Sequence, residues 1–297
     1  MIYLLGGSGY IGSAFARQLA ARGAPHRVLR RADFDYSRPE LLRDALRADR
    51  VSFLINAAGH TGRPNVDACE DQRLECILGN VVHPLRVAEA CASAGVPWAH
   101  LSSGCIYSGA RPDGSGFTET DPPNFSFRSP PCSFYSGTKA MAEEKLAAYP
   151  RTYLWRIRIP FDHVDHPRNY LSKLLAYPRL LDARNSLTHL AEFVPAALDF
   201  LHLRPEPGIY HFTNPGSVTT REVAELLATT LAPGREFHFF SDENEFMRNA
   251  ARAPRSSCVL DSSKLASIGL ALAPVHEALR LALSRWQRDA PALMRAG

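Results

Sequence analysis

Short apolar runs alternate with longer amphipathic segments through the first half of the chain. Each run is bounded by turn residues, and together they predict strands over residues 2–5, 26–30, 52–56 and 97–102. Apolar positions at helical spacing predict helices over 11–23, over 39–48 and across 67–94. Repeated strand and helix units of this length predict an α/β fold, in which helices cover both faces of a parallel sheet.

The pattern becomes less regular in the second half of the chain. A helix over residues 135–149 and a strand over 152–160 continue the earlier alternation. A helix over 190–203, a strand over 208–214 and a helix over 220–231 follow. We therefore expect one domain over residues 1–160, joined by a returning segment near 190–215. A smaller α/β domain is expected mainly over residues 161–297.

Charge and cysteine content limit the classes of function. The 34 basic and 30 acidic residues are spread along the chain and give a net charge of +4, so we expect neither a nucleic-acid partner nor a membrane surface. The six cysteines show no paired spacing, which predicts reduced thiols, a cytoplasmic location and no metal site. The first apolar run is too short for a signal peptide or a membrane span.

A glycine-rich segment, GGSGYIG, joins the first predicted strand to the first predicted helix. Its glycine spacing is typical of a dinucleotide-binding turn, in which the backbone approaches a pyrophosphate at a helix N-terminus. The candidate cofactor-binding residues of this segment are Gly6, Ser8, Gly9, Tyr10, Ile11 and Gly12.

The second predicted strand ends in Arg30 and Arg31, where NAD sites usually have an acidic residue. Two guanidinium groups fit a 2′-phosphate, which favours NADPH as the cofactor, with NADH as the alternative. Solvated surface arginines are the other interpretation of this pair. Asp33 and Phe34 are expected to flank the adenine.

The segment YSGTK places Tyr135 and Lys139 four residues apart, and therefore on one face of a helix. The neighbouring ammonium group is expected to stabilise the phenolate and to lower the pKa of Tyr135 from ~10. Ser103, at the end of the preceding strand, is expected to hydrogen-bond to the same substrate oxygen. With the glycine-rich turn, these residues predict a hydride-transfer site.

With these motifs the chain resembles an extended short-chain dehydrogenase/reductase. The segment NAAG, residues 56–59, matches the part of that family that lines the cofactor. The resemblance implies a Rossmann-type doubly wound parallel sheet with a smaller C-terminal α/β substrate domain. It also implies cofactor contacts from Ala57, Ala58, Gly59, Lys139 and Pro160.

Further segments, among them GHTGRPNVDACE, SSGCIY, HPRNYLSKL and APRSSCVLDSSKL, resemble one branch of this family. The branch comprises bifunctional 3,5-epimerase/4-reductases, which convert a nucleotide-4-keto-6-deoxyglucose into nucleotide-L-rhamnose and form the C-terminal part of plant rhamnose synthases. More distantly, the chain is similar to dTDP-4-dehydrorhamnose reductase and GDP-fucose synthase. The resemblance implies that Cys105 and Lys173 exchange protons during epimerisation. An adjacent ammonium group is expected to lower the pKa of the Cys105 thiol from ~8.5 towards neutrality. It further implies substrate contacts from Arg63, Asn65, Asn80, Cys105, Tyr135, Asn169 and Arg255.

Several alternatives remain open. Cys105 can be a small buried residue and Lys173 a solvated helix lysine. The chain can act as a 4-ketoreductase alone, or it can be a non-catalytic dinucleotide-binding regulatory subunit, although an intact proton donor argues against the latter. The nucleotide of the sugar substrate can be UDP or dTDP. A homodimer is a further expectation, because related enzymes are often dimers.

Overall fold

The structure is a computed structural model and describes residues 1–63 and 65–287. Six parallel strands form its central sheet, in the spatial order β2 (His26–Leu29), β1 (Ile2–Leu5), β3 (Phe53–Asn56), β4 (Trp98–Ser103), β5 (Thr152–Ile157) and β10 (Gly208–His211). All four residues of β3 are buried, as expected for a strand inside a sheet that is covered on both faces.

Helices lie on both faces of this sheet. They are α1 (Tyr10–Ala21), α2 (Pro39–Ala48), α3 (Ala68–Asp71), α4 (Arg73–Ile77), α5 (His83–Ala94), α6 (Phe134–Leu146) and α8 (Leu190–Leu203), with a π-helical turn at Leu78–Val82 and a 3₁₀ turn at Gly104–Ile106. One apolar core contains Phe15 and Trp155, and a second core, on the other face, contains Trp98 and Leu146. The predicted α/β fold with a Rossmann-type parallel sheet is confirmed.

Most of the remaining elements lie around a third apolar core, which includes Phe161, Leu171 and Leu279. The remaining elements are β6 (Pro160–Phe161), α7 (Tyr170–Ala176), β7 (Arg179–Leu180), β8 (Arg184–Asn185), β9 (Thr188–His189), β11 (Val218–Thr219), α9 (Thr220–Thr230), β12 (His238–Phe239), α10 (Glu243–Asn249), α11 (Ser263–Ser267) and α12 (Val275–Ser284). Of these, α11 packs through Leu265 in the first core. We refer to the remaining elements together as the second lobe. A domain boundary near residue 160 stays a prediction, and residues 288–297 of the predicted second domain lie outside the described residues.

The strand predicted over 152–160 is divided in the structure. β5 ends at Ile157, and β6 begins at Pro160 and pairs with β9. Between them Ile159 has a φ of 37°, an unusual conformation for a β-branched residue. This residue turns the chain out of the central sheet and towards the second lobe.

None of the helices within the described residues combines the length and the apolar character that crossing a membrane requires.

Candidate active site

The glycine-rich turn leaves no room for side chains. Gly6 has a φ of 74°, and a Cβ atom at Gly12 would lie 2.0 Å from the carbonyl oxygen of Gly6. Gly9 caps α1 without a side-chain hydrogen bond, so the backbone N–H groups at the start of the helix are left for a ligand. These features fit the pyrophosphate of a dinucleotide.

A cavity of about 500 Å³ lies beside this turn, between the ends of β2 and β3 and the start of α5. Arg31 and Arg86 both line it, and Arg86 Nη1 donates a hydrogen bond to the carbonyl oxygen of Ser37 at 3.2 Å. Its lining therefore contains two guanidinium groups, which suit a phosphate monoester, together with the carboxylates of Asp35 and Glu75. Of the predicted residues, Arg30 and Asp33 are exposed, and Phe34 packs against the second core.

His83 also lines this cavity, and sequence reasoning did not select it or Arg86. The side chain is 4% exposed, and neither ring nitrogen has a hydrogen-bond partner among the residues that the structure describes. Burial, followed by the charges of Arg31 and Arg86, lowers the pKa of His83 to about 4. The ring is thus neutral near pH 7 and can donate to, or accept from, a bound adenosine. In the sequence, its place in the first turn of an ordinary amphipathic helix carries no signal of this role.

Ser103, Tyr135 and Lys139 lie in one site at the carboxyl end of β4. Ser133 caps α6 by accepting a hydrogen bond from the backbone N of Ser136 at 3.2 Å, which fixes the start of the helix that carries Tyr135. Lys139 is 4% exposed, and its Nζ donates to the carbonyl oxygen of Leu101 at 3.1 Å. This contact holds the ammonium group against the strand that ends in Ser103.

The expected lowering of the pKa of Tyr135 by Lys139 is wrong. Burial of the phenol, followed by the nearby thiol of Cys105, raises the pKa of Tyr135 well above its usual value, and a hydrogen bond with Ser103 opposes this only weakly. Burial also lowers the pKa of Lys139. Tyr135 is therefore protonated at rest and is ready to donate a proton.

Cys105 lies in the 3₁₀ turn that directly follows Ser103, and it is 5% exposed. Its backbone N donates a hydrogen bond to Ser103 Oγ at 3.2 Å. Burial raises the pKa of the Cys105 thiol, although hydrogen bonds with Ser103 and Ser136, and then the charges of Arg158 and Lys139, oppose the rise. The expected lowering towards neutrality is therefore wrong, and the resting thiol is protonated.

Arg158 was also missed by sequence reasoning. Its backbone follows β5, and its side chain donates to Asn185 Oδ1 at 2.6 Å and to the carbonyl oxygen of Ser256. Both arginine and asparagine are buried. The guanidinium group therefore brings a fixed positive charge to the vicinity of Cys105.

Lys173 lies on α7. Among the described residues, the neighbour that affects its pKa is Arg168, which is not among those named above for Cys105. Burial and the charge of Arg168 lower the pKa of Lys173, which favours the neutral amine. Arg168 itself donates to Thr61 Oγ1 and to the carbonyl oxygen of Gly62, so it joins the second lobe to the loop after β3. That Lys173 acts together with Cys105 stays a prediction.

The predicted substrate contacts fall into two classes. Asn80 and Asn169 are fully buried, and their amides are engaged with protein groups: Asn80 bonds both backbone groups of His60, and Asn169 caps α7 and bonds both backbone groups of Asp162. These two asparagines hold the loops of the site in place. In sequence, such a side chain cannot be distinguished from one that binds substrate.

The other class lies nearer the surface. Arg255 makes a two-pronged ion pair with Asp67, at 2.7 and 2.5 Å, and thereby joins two segments that are 188 residues apart. Asn65 Oδ1 accepts a hydrogen bond from the backbone N of Asp67 at 2.9 Å, and Arg63 is exposed. The structure therefore brings the GRPNVD segment and Arg255 together.

A buried ion pair anchors α6, the helix that carries Tyr135 and Lys139. Glu143, one turn after Lys139, receives hydrogen bonds from Arg156 at 2.6 to 3.1 Å and from Ser102 Oγ. Arg156 also donates to Tyr107 Oη at 2.9 Å. This network ties α6 to β4 and β5, the strands on either side of the site.

Comparison with known proteins agrees with this geometry. A family model described as "RmlD substrate binding domain" matches residues 1–288. A bifunctional dTDP-4-dehydrorhamnose 3,5-epimerase/dTDP-4-dehydrorhamnose reductase of Arabidopsis thaliana is 38% identical over 235 residues, which are 77% of this chain and 75% of that protein. A trifunctional UDP-glucose 4,6-dehydratase/UDP-4-keto-6-deoxy-D-glucose 3,5-epimerase/UDP-4-keto-L-rhamnose-reductase of the same plant is 34% identical over 88% of this chain, which spans only 39% of that protein.

The fold recurs in a solved structure. The L780 UDP-rhamnose synthase of Acanthamoeba polyphaga mimivirus superposes with a TM-score of 0.86 and 24% sequence identity, covering 96% of this chain and 99% of that one. The Rossmann-type sheet and the second lobe therefore have the same arrangement in both proteins.

Proposed function

This chain belongs to the RmlD substrate-binding domain family, and from that premise we propose that it is an NADPH-dependent nucleotide-sugar enzyme. It converts a nucleotide-4-keto-6-deoxyglucose into nucleotide-L-rhamnose, or a related 6-deoxyhexose, by 3,5-epimerisation and 4-keto reduction. The observation that carries this proposal is the turn that places Cys105 two residues after the serine of a Ser103, Tyr135 and Lys139 site.

The cofactor fits the residues that are present. The glycine turn accommodates a pyrophosphate, and Arg31 and Arg86 flank a cavity at its adenosine end. His83, neutral and without a partner, supplies a hydrogen-bonding group to the adenosine. The two arginines favour NADPH over NADH. When bound, the reduced nicotinamide supplies a hydride for C4 of the sugar.

Reduction requires a proton as well, and Tyr135 is suited to donate it. The raised pKa keeps the phenol protonated, and the C4 oxygen takes up its proton as it becomes an alcohol. Ser103 orients the same oxygen by a hydrogen bond. Lys139, held against the carbonyl oxygen of Leu101, places a positive charge next to the developing negative charge on that oxygen.

Epimerisation uses the same carbonyl in a different way. Protons on C3 and C5 are acidic because the C4 oxygen accepts the charge as an enolate, and inversion needs one group to remove a proton and another to return one on the opposite face. The lowered pKa of Lys173 favours the unprotonated amine, which can accept a proton, and the raised pKa of Cys105 keeps its thiol protonated, so that it can donate one.

A 4-ketoreductase without epimerase activity is the alternative that these observations also support. It needs Ser103, Tyr135 and Lys139, and in it Cys105 only packs. A non-catalytic regulatory subunit is disfavoured, because such a subunit has no need of a buried proton donor. The same proposal includes action on UDP- or dTDP-sugars, a homodimer, a cytoplasmic location and a two-domain division at residue 160.

The deciding experiment supplies the protein with NADPH and, separately, with UDP- and dTDP-4-keto-6-deoxyglucose and with the corresponding 4-keto-rhamnose. Conversion of the first substrate into nucleotide-L-rhamnose supports the bifunctional proposal. Reduction of the 4-keto-rhamnose alone leaves only the 4-ketoreductase. If none of these sugars is reduced, the enzyme proposal is overturned.

A further inference from the structure

Two histidines and an aspartate without a part in this reaction lie together at the start of the second lobe. Asp162 and His163 directly follow β6, and His189 ends β9, the strand that pairs with β6. Each residue offers one ligand atom, and the three atoms all lie within 4.8 Å of one another. His189 is distant in sequence from the adjacent pair Asp162 and His163, so sequence spacing did not indicate a metal site here.

His189 is the least satisfied member of this group. It is 1% exposed, and within the described part of the chain neither ring nitrogen makes a hydrogen bond of good geometry. Its nearest described acidic partner is Glu192, whose Oε1 lies 3.5 Å from Nδ1, a long contact that leaves Nε2 unengaged. The ring stacks on Phe161 with the centroids 4.9 Å apart, which fixes its plane. A buried imidazole normally has a hydrogen-bond partner on its ring nitrogens, and we therefore expect a ligand to bind to the imidazole of His189.

The other two residues are held in place beside it. His163 Nδ1 lies 2.7 Å from Asp162 Oδ1, and the backbone N of His163 donates to the same oxygen at 2.8 Å. Asn169 fixes the backbone of Asp162 by hydrogen bonds on both sides. Asp162 is 6% exposed, whereas the side chain of His163 is 29% exposed. The half-exposed histidine gives a small ion a path from solvent to the buried carboxylate.

The phenol of Tyr10 adds a second unsatisfied group nearby. Its oxygen is buried and has no hydrogen-bond partner in residues 1–63 and 65–287. Burial, and after it the charge of Asp162, raises the pKa of Tyr10. The phenol therefore stays neutral, and it lies close enough to Asp162 to interact with the negative charge of the carboxylate. The negative charge of Asp162 is therefore not neutralised from this side.

We propose that Asp162, His163 and His189 bind one divalent transition-metal ion, for which Zn²⁺ is the expected occupant. Two imidazoles and one carboxylate are a ligand set that zinc sites use when water takes the fourth position. The ion replaces the proton between Asp162 and His163 and gives His189 the partner it lacks. Ligand distances of ~2.0 to 2.2 Å place tetrahedral ligand atoms ~3.4 Å apart. His163 Nδ1 and Asp162 Oδ1 therefore have to separate from 2.7 Å, and the other separations, all within 4.8 Å, need only a small adjustment.

The consequence of binding is a bridge between β6 and β9. These strands have only two residues each and pair at Pro160 with Thr188 and at Phe161 with His189. Pro160 is a predicted cofactor contact, so the ion stabilises the segment that leads from the central sheet to the second lobe. The site is separate from the Ser103, Tyr135 and Lys139 group, and it can therefore be tested without an activity assay.

The test uses the full chain, freed of metal with a chelator and titrated with Co²⁺. We expect one Co²⁺ per chain with tetrahedral d–d absorption bands, displacement by Zn²⁺, and no thiolate charge-transfer band. His163→Gln, at a half-exposed position, is expected to weaken binding at least tenfold, and His189→Gln is expected to do the same. His202→Gln, an exposed histidine on α8, is the matched control and should bind as the parent does.

Thermal unfolding gives a second measurement. Zn²⁺ should raise the midpoint of unfolding of the parent and of His202→Gln, but not that of His163→Gln, because only the first two bind the ion in the folded state. If His189→Gln does not fold, His163→Gln decides the question alone. Binding without unit stoichiometry, a thiolate charge-transfer band, or parental affinity in His163→Gln would overturn the proposal.

Discussion

Ser103 Oγ accepts a hydrogen bond from the backbone N of Cys105 at 3.2 Å. Ser103, at the end of β4, is expected to orient the C4 oxygen. Cys105, two residues later in the following turn, carries the thiol that is expected to act at a neighbouring carbon. Because one rigid turn holds both groups, each can be changed chemically with little movement of the other.

Replacement of Cys105 by serine should separate epimerisation from reduction. The parent in D₂O is expected to place deuterium at C3 and C5 of the product, because each inversion returns a solvent-derived proton. Cys105→Ser should suppress this incorporation by ~10²-fold or more, since a hydroxyl is a much weaker acid than a thiol. The measurement is mass spectrometry or NMR of the product sugar.

The controls follow from the structure. Cys105→Ser should still reduce 4-keto-rhamnose, and Cys91→Ala, which removes a buried thiol from the second core, should leave deuterium incorporation unchanged. Parental incorporation in Cys105→Ser would mean that the thiol is packing only.

Tyr135→Phe should lower the rate of 4-keto reduction by ~10² to 10⁴-fold, because the variant lacks the general acid. Binding of NADPH, followed by fluorescence titration, should change little. A parental reduction rate would contradict the assignment of Tyr135.

The pH profile gives an independent check on Tyr135. Reduction needs the protonated phenol, and burial holds the pKa of Tyr135 above its ordinary value of 10.0. Deprotonation therefore begins only above that pH, and kcat/KM for 4-keto-rhamnose should show no decline assignable to Tyr135 below about pH 10. A basic limb near pH 7 that disappears in Tyr135→Phe would show that the cofactor or the ammonium of Lys139 lowers the pKa after all.

The cofactor preference should depend on Arg31 and Arg86. Replacement of either by alanine is expected to raise the KM for NADPH by ~10 to 100-fold, as for the loss of a hydrogen bond to a charged group. The KM for NADH should change much less, because NADH has no 2′-phosphate. Arg43→Ala, an exposed arginine paired with Asp44, is the control. Equal effects on both cofactors would contradict a phosphate contact.

Glu143→Gln should destabilise the protein by about 3 to 5 kcal/mol, because it leaves Arg156 buried without its counter-charge. Glu144→Gln makes a closely matched control: the neighbouring carboxylate is exposed and pairs with the exposed Arg128, so a loss of at most about 1 kcal/mol is expected. Urea unfolding of the two variants measures the difference. Similar losses would mean that the buried pair contributes no more than the surface pair.

The sequence predicted those features that depend on local patterns. Apolar runs located the strands, and the bounds of α2 and α8 were found to the residue. The glycine turn and the spacing of Tyr135 and Lys139 are likewise local, because a single loop or helix places them. The predicted sheet followed, since parallel strands joined by helices have few arrangements.

Features that depend on tertiary contacts could not be predicted in this way. Arg86, His83 and Arg158 acquire their roles from segments far away in the chain, and nothing in their immediate neighbours marks them. The pKa shifts of Tyr135 and Cys105 were predicted in the wrong direction for the same reason. A neighbouring cation is visible as a sequence motif, whereas the loss of water around a buried group appears only in the folded chain.

The position of β10 also bears on how the protein can be synthesised. This edge strand of the central sheet comes from residues 208–211, after the chain has already passed through β6, α7 and β9. On a translating ribosome, β5 therefore remains an open edge while some fifty further residues emerge, and open edges attract other chains. A gene truncated near residue 160 would make this exposure permanent, and a shortened protein for expression should therefore extend past His211.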